Sequence, residues 1–406
     1  MNKELRVAFV SGPAYDALYH SLELFTRTTG IKVDVAFGGD HPSLNYHLAS
    51  LNDVPYDLVS THTKYAPSQL EFLAPLDDVV PNEAVADFIP LLLELASVGG
   101  RLYGLPRNID VRLLHYRTDL LSEPPATWDE LFNAARSLNK PPSLFGFVFP
   151  GRESGLFGTF YELAEMAGAC LFPKTLVPEI ENNAGCWALG LLHRFYAEGI
   201  VPTEFTDWHY EKVHECFRSG QAAMVCDWPG YYSFYRDPAI SAVHDRFALT
   251  PYPTGPAGRS LSYGGGHTFA LTKRGFRNPY ALELLLFLTD FDQQLLEARH
   301  GCVPVRRTVM QAMKAEADQS DRERLAMLDN VIEKHILVPP KFGEYPEVES
   351  ILWRTVQRAI IGKITVDDAL TTIRKKIEQI VSNGDRNFAQ FNGKSGVPVR
   401  LPVSRM

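Results

Sequence analysis

The sequence has no apolar run long enough to span a membrane; Leu284 to Leu288, its longest, falls far short of the roughly 18 residues required. It is poor in cysteine. Cys170, Cys186, Cys216, Cys226 and Cys302 are odd in number and lack CxxC spacing, which excludes a full disulfide framework and a zinc ribbon. One disulfide pair remains open. Basic charge is also lacking, because the net charge of -8 offers no footprint for DNA or RNA. Catalytic signatures are missing: GxSxG, HExxH, a P-loop, and a GxGxxG that opens a helix after a strand. The serine of Gly151-Arg152-Glu153-Ser154-Gly155 sits one position off a nucleophile elbow. His209 and His214 are five apart, and His214-Glu215-Cys216 lacks metal-site spacing. No enzyme, no cofactor and no bound metal are therefore expected. An apolar signal core is absent too, since Met1-Asn2-Lys3-Glu4 runs straight into a strand. Either a signal has been removed or the chain works in the cytoplasm.

A length of 406 residues suits two domains of about 150–200 residues, and 45% hydrophobic with 22% charged residues is ordinary for a globular chain. Leu5, Val7 and Phe9 predict a strand, Leu18, Leu22 and Phe25 a helix closed by Gly30, and Ile31, Val33 and Val35 a second strand. That order is a βαβ unit and implies parallel pairing. Tyr56 to Ser60 reads as a third strand. Thr127-Trp128-Asp129-Glu130 is a capping box, Asn278-Pro279 a helix start, and Thr365 with Asp368 a similar start before Ala369, Ile373, Ile377 and Ile380. Strands and helices alternate along the chain. Breaks near Pro106 and from Pro251 to Gly258 are candidate crossovers between two lobes.

Several segments, in order, resemble extracellular solute-binding protein family 1, the sugar-binding group that includes the maltose-binding protein. They are Phe25 with Thr29-Gly30-Ile31-Lys32-Val33, Tyr56-Asp57-Leu58-Val59 and Leu73-Ala74-Pro75-Leu76-Asp77-Asp78. Gly99-Gly100-Arg101-Leu102-Tyr103-Gly104-Leu105-Pro106, Thr127-Trp128-Asp129-Glu130-Leu131 and Phe217 to Met224 follow. The resemblance covers residues 5 to about 381. It implies an α/β, two-lobed periplasmic-binding-protein-like fold with mixed, mostly parallel sheets flanked by helices and a hinge between lobes. The first lobe would take 1–109 plus 262–308, the second 113–255 plus 313–385, and 386–406 would be a loosely ordered tail. The function implied is the solute-binding component of an ABC importer, a monomer that captures a small polar solute, with a carbohydrate the expected one, by hinge closure. It would work in the periplasm or at the cell surface and pass the solute to a membrane permease. A polyol is an alternative solute. So is ferric iron, because Tyr231-Tyr232 resembles the adjacent tyrosines of two-lobed iron-binding proteins.

Candidate ligand contacts cluster where strands end. Ser11, Gly12 and Tyr15 follow the first strand, where backbone N–H groups can approach a ligand oxygen; a plain βα turn is the competing account. Asp40 and His41 follow the second strand after Gly38-Gly39. Thr61 and His62 follow the third, with Lys64 read otherwise as a solvated charge and His62 as a cap. Arg107 and Asp110 lie at the first crossover, where an Arg107–Asp110 ion pair bracing the hinge competes with ligand contact. Arg152 and Glu153 end the expected strand from Phe145 to Pro150, and a helix cap is the plainer role there. Trp228 and Tyr231 follow the strand Ala222 to Cys226; indole stacks on the C–H face of a pyranose, whereas a buried tryptophan would touch nothing. Gly265, Gly266 and His267 stand at the return crossover, as contacts or as a flexible hinge. Trp128 belongs to packing, and Trp187, Trp208 and Trp353 are undecided.

Overall fold

The segment after Glu4 becomes β1 (Glu4–Val10), and Val7 to Val10 are completely buried. The alternation of a half-exposed strand is lost there because both faces of the sheet are covered. This computed structural model describes residues 3–12 and 15–383, so the expected tail from 386 to 406 lies outside the described residues. Helix α1 (Asp16–Thr29) ends at Gly30, whose φ of 72° suits glycine and few other residues. Strands β2 (Lys32–Gly39) and β3 (Leu58–His62) both pair parallel with β1. Between them α2 (His41–Ala49) is capped by Asp40, whose Oδ1 accepts from the Ser43 N–H at 2.8 Å. Short helices α3 (Asn82–Val85) and α4 (Pro90–Ala96) and the hairpin β4 (Ser97–Val98) with β5 (Arg101–Leu102) lead to β6 (Leu105–Val111).

The chain then builds a second unit: β7 (Leu113–Arg117), α5 (Trp128–Leu138), α6 (Glu153–Ala167) and α7 (Asn183–Ala197). It continues through α8 (Tyr210–Arg218), β8 (Met224–Asp227), α9 (Tyr232–Arg236) and β9 (Phe247–Thr250). At the start of α5 the Thr127 hydroxyl accepts from the Glu130 N–H at 3.1 Å, and the Glu130 carboxylate reaches the Ala126 N–H at 2.8 Å, one residue before the expected box position. Strand β10 (Ser262–Leu271) returns to the first sheet, followed by α10 (Pro279–Leu288), α11 (Phe291–Arg299), α12 (Arg307–Glu316), α13 (Gln319–Lys334) and β11 (Ile336–Leu337). Helices α14 (Tyr345–Ile360) and α15 (Val366–Asn383) complete the second unit.

The larger sheet is mixed, in the order β11-β10-β3-β1-β2 with β6 on β10, and β10 runs antiparallel to both β3 and β6. The smaller sheet, β8-β7-β9, pairs antiparallel. Phe145 and Val148 touch it through two parallel bridges, to Ala222 and Val225, so the expected strand there is a pair of isolated contacts. Each sheet anchors its own apolar core, one around Phe9, Phe25, Leu58 and Phe269, the other around Trp128, Phe157, Phe195 and Leu352. The expected division gave all of 313–385 to the second lobe. Leu325, Leu328, Val331, Ile336 and Val338 instead pack into the first core, because β11 extends β10 and α13 comes with it. From Phe342 onward the chain packs into the second core.

Buried polar pairs tie the crossovers together. The Arg112 Nε donates to Glu162 Oε1 at 3.2 Å, the same oxygen accepts from the Tyr263 N–H at 2.5 Å, and the Ser262 hydroxyl donates to the Arg112 carbonyl at 2.6 Å. Among the described residues none of the five cysteines is in a disulfide, and no described helix is long and apolar enough to cross a membrane.

Candidate ligand-binding site

Three adjacent strands set one wall of a cavity between the two cores. Register pairs His62 on β3 with His267 on β10, and His267 in turn with Asn108 on β6. Directly paired residues share a face, so these side chains stand in a row, with Gly265 paired to Asp110 two positions along. The Asp110 carboxylate accepts from His267 Nε2 at 2.8 Å and from Asn108 Nδ2 at 3.0 Å. His267 Nδ1 meets His41 Nε2, which arrives from the start of α2. His62 Nδ1 accepts from the Lys64 N–H at 3.2 Å, which leaves the proton of the neutral ring on Nε2. Burial, reinforced by His267, holds His41 and His62 well below the ordinary imidazole range. Gly265 is required here, because a Cβ on it would overlap the His62 ring.

The opposite wall is aromatic. Trp228 follows β8 and meets the Tyr210 ring edge-on at 5.5 Å between centroids, while the Arg112 guanidinium lies over the indole at 5.4 Å. The Trp228 N–H donates to Asp227 Oδ1 at 2.7 Å, and Asp227 Oδ2 takes bonds from His214 and the Tyr235 hydroxyl. His214 stacks on Tyr231, so one buried carboxylate supports both Trp228 and Tyr231, two of the aromatic residues that line the cavity. Burial lowers His209, at the start of α8, to about 4.

Lys64 and Tyr65 close one end. Lys64 is buried, against the expectation of a solvated charge: its Nζ meets Glu349 Oε1 at 2.6 Å and the Tyr263 hydroxyl at 3.2 Å. Burial is the largest influence and would depress this ammonium, but Glu349 together with Tyr65 and Tyr210 offsets it and holds Lys64 above its ordinary value. The Tyr65 hydroxyl donates to Glu349 Oε2 at 2.7 Å. Burial also pushes the Cys302 thiol, on the cavity lining, up to about 12. The cavity volume is about 250 Å³.

Residues 9–294 match the family model described as bacterial extracellular solute-binding protein, well over half of the chain. The chain belongs to this family. A probable ABC transporter-binding protein of Deinococcus radiodurans is 25% identical over 55% of this chain and 56% of its own length. A mannitol-binding protein of Pseudomonas aeruginosa is 29% identical over 47% of this chain and 46% of its own. The chain thus spans about half the length of these two relatives. Among solved structures, the maltose-bound MalE3 of T. maritima superposes with a TM-score of 0.85 at 24% identity, over 93% of this chain and 99% of that one, which shows the shared two-lobed fold.

In this solute-binding protein the cavity gathers Ser11, Gly12, Tyr15, Asp40, His41 and His62 from the first unit's early strands. Asp110, Gly265 and His267 join them from β6 and β10, and Arg152, Trp228 and Tyr231 from the second unit. Four expected residues do not line it. Thr61 faces the other side of β3, where its hydroxyl bonds Gln69. Arg107 is on the far face of β6 from Asp110: its guanidinium meets Glu297 at 3.0 Å and lies under the Tyr15 ring at 4.8 Å, so the Arg107–Asp110 pair is not formed. Gly266 faces Thr63. Glu153 opens α6 and lies 3.8 Å from His209. The adjacent tyrosines diverge, because the Tyr232 hydroxyl turns to Ser320 at 3.4 Å while Tyr231 lines the cavity, so ferric binding is not supported. Among residues not singled out beforehand, Asn108, Ser154, His209, Tyr210 and Tyr263 also line the cavity. Alternation along β6 pointed to Asn108, which shares a face with Asp110.

Proposed function

We propose that this chain is the solute-capturing component of an ABC importer, working in the periplasm or at the cell surface. It takes up one sugar or polyol of about monosaccharide size, hands it as a monomer to a membrane permease, and does no chemistry on it. One observation carries this reading: a row of imidazoles, an amide and a carboxylate faces an indole and two phenols across a gap between the two cores. Hydroxyls both donate and accept, and so satisfy the first wall; the C–H face of a ring or alditol suits the second. Two buried lining atoms, Asn108 Oδ1 and His209 Nε2, have no hydrogen-bond partner among the described residues and supply further contact points. The volume of about 250 Å³ lies just under the roughly 300–1,000 Å³ of small-molecule sites, which favours one ring or a short alditol over a long oligosaccharide. Maltose and mannitol, the solutes named for two relatives, belong to the same chemical class.

The test is a thermal-shift panel of hexoses, pentoses, disaccharides, alditols and cyclitols, followed by calorimetry on each positive. At least one neutral member is expected to bind at micromolar strength, about -8 kcal/mol, with compaction by small-angle scattering and no turnover. Absence of any shift across the panel, or release of a product, sinks the proposal.

A further inference from the structure

The cavity's charges are arranged so that nearly every positive group has its own carboxylate. Lys64 is paired with Glu349, and Arg107, behind Tyr15, with Glu297. Arg112, behind Trp228, is paired with Glu162. Helix starts would also attract an anion, and α1, α2, α6 and α8 all begin at the cavity, through Tyr15, His41, Ser154 and Tyr210. Each carries an acid of its own there: Asp16, the cap Asp40, Glu153 and Glu211. Arg152 is left over, but it stands exposed at the rim, where water screens it and Asp40 and Glu211 are fellow rim residues.

Asp110 is the reverse case. It lines the cavity, and its hydrogen-bond donors are an amide and an imidazole, with no ammonium or guanidinium on it among the described residues. A solute bearing a carboxylate or phosphate would meet Asp110 with no unpaired ammonium or guanidinium beside it among the described residues, Arg152 standing at the rim, whereas an uncharged polyhydroxylated solute gives the carboxylate a hydroxyl donor.

Resting on the solute-capture reading above, we propose that the cavity is a charge filter that admits uncharged sugars and polyols and rejects their acidic derivatives, with Asp110 as the residue that sets the discrimination. The experiment is calorimetry at pH 7.5 on matched pairs: glucose with glucuronate, galactose with galacturonate, and mannitol with mannitol 1-phosphate. The neutral member of any pair that binds is expected to bind at least tenfold more tightly than its acid. An acid bound within tenfold of its neutral partner, or more tightly, overturns the filter while leaving solute capture standing. Failure of every sugar, polyol and acid to bind removes both ideas together. Asp110→Asn keeps the size and one acceptor, and is expected to shrink the neutral-to-acid ratio at least fivefold. Because the readout is a ratio, a general loss of affinity does not imitate it, and an unchanged ratio takes the role away from Asp110.

Discussion

The two walls of the cavity are made from similar parts, strand ends that run into helices, yet they carry opposite chemistry. The first unit contributes His41, His62, His267, Asn108 and Asp110, whose edges make directional hydrogen bonds. The second contributes Trp228, Tyr231 and Tyr210, whose value is ring area. The difference lies in the supporting structure. Neighbouring strands β3, β10 and β6 hold the polar row in register, so the backbone itself fixes it. The aromatic wall stands on loops and helix starts after β8 and before α8, and the Asp227 carboxylate with its bonds to Trp228, His214 and Tyr235 replaces the missing sheet. Polar selection is built on rigid backbone, and ring contact on a side-chain network.

The largest expected effect comes from breaking what joins the walls. Lys64 follows β3 and Glu349 lies on α14, so their buried pair links the two units. Glu349→Ala leaves the ammonium without its carboxylate and strips a partner from the Tyr65 and Tyr345 hydroxyls. A loss of about 3–5 kcal/mol in urea unfolding is expected, most of it recovered in Lys64→Met/Glu349→Leu, because uncompensated buried charge is the main cost. Equal losses in the single and double variants would mean that the pair does not join the walls electrostatically.

Acid sharpens the comparison from the second unit. His115 on β7 donates from Nδ1 to the Leu113 carbonyl at 3.1 Å, and burial lowers it to about 4. The unfolded chain takes up this proton below about 6.5 while the folded protein refuses it. Stability is therefore full above pH 6.5, falls between 6.5 and 4, and levels off below. At about 1.4 kcal/mol per pH unit the full loss across this window is about 3.5 kcal/mol. Urea midpoints at pH 7 and pH 4.5 check it, with a smaller drop expected in His115→Leu. In the first wall, Gly265→Ala pushes a methyl into the His62 ring. That overpacking is expected to cost about 1–3 kcal/mol and to weaken solute binding, whereas Gly266→Ala on the opposite face should spare the solute affinity.

How much of this was legible in the sequence differs between the same two regions. The βαβ start, Gly30, and the helix starts at Thr127 and Asn278 carry local signals and formed where those signals stood. In the polar wall the positions were legible and the facing was not fully used. Alternation puts Asn108 with Asp110 and excludes Arg107, puts His62 without Thr61, and puts Gly265 and His267 without Gly266. Lys64 was beyond reach, since its partner lies 285 residues away and nothing local separates a buried lysine from a solvated one. His209 and Tyr210 were missed because an aromatic at a helix start has no spacing code, and the boundary of the two cores near Phe342 depended on β11, a strand of two residues.

The smallest effect expected is also the one that tests the aromatic wall most directly. Trp228 touches Tyr210 and Tyr263 rings edge-on and is only partly buried, so its removal leaves the second core nearly intact. Trp228→Ala is expected to weaken binding of the panel's best solute about tenfold, or about 1.4 kcal/mol, with little change in urea midpoint. Trp228→Phe retains a ring and should recover part of the affinity. Because stacking acts on the C–H face, hexoses and their epimers should lose similar amounts, whereas changes at Asp110 should alter the ranking among solutes. If Trp228→Ala leaves affinity unchanged, ring contact is not what the second wall supplies. If it reorders the solutes, the division between a wall that selects and a wall that holds is wrong.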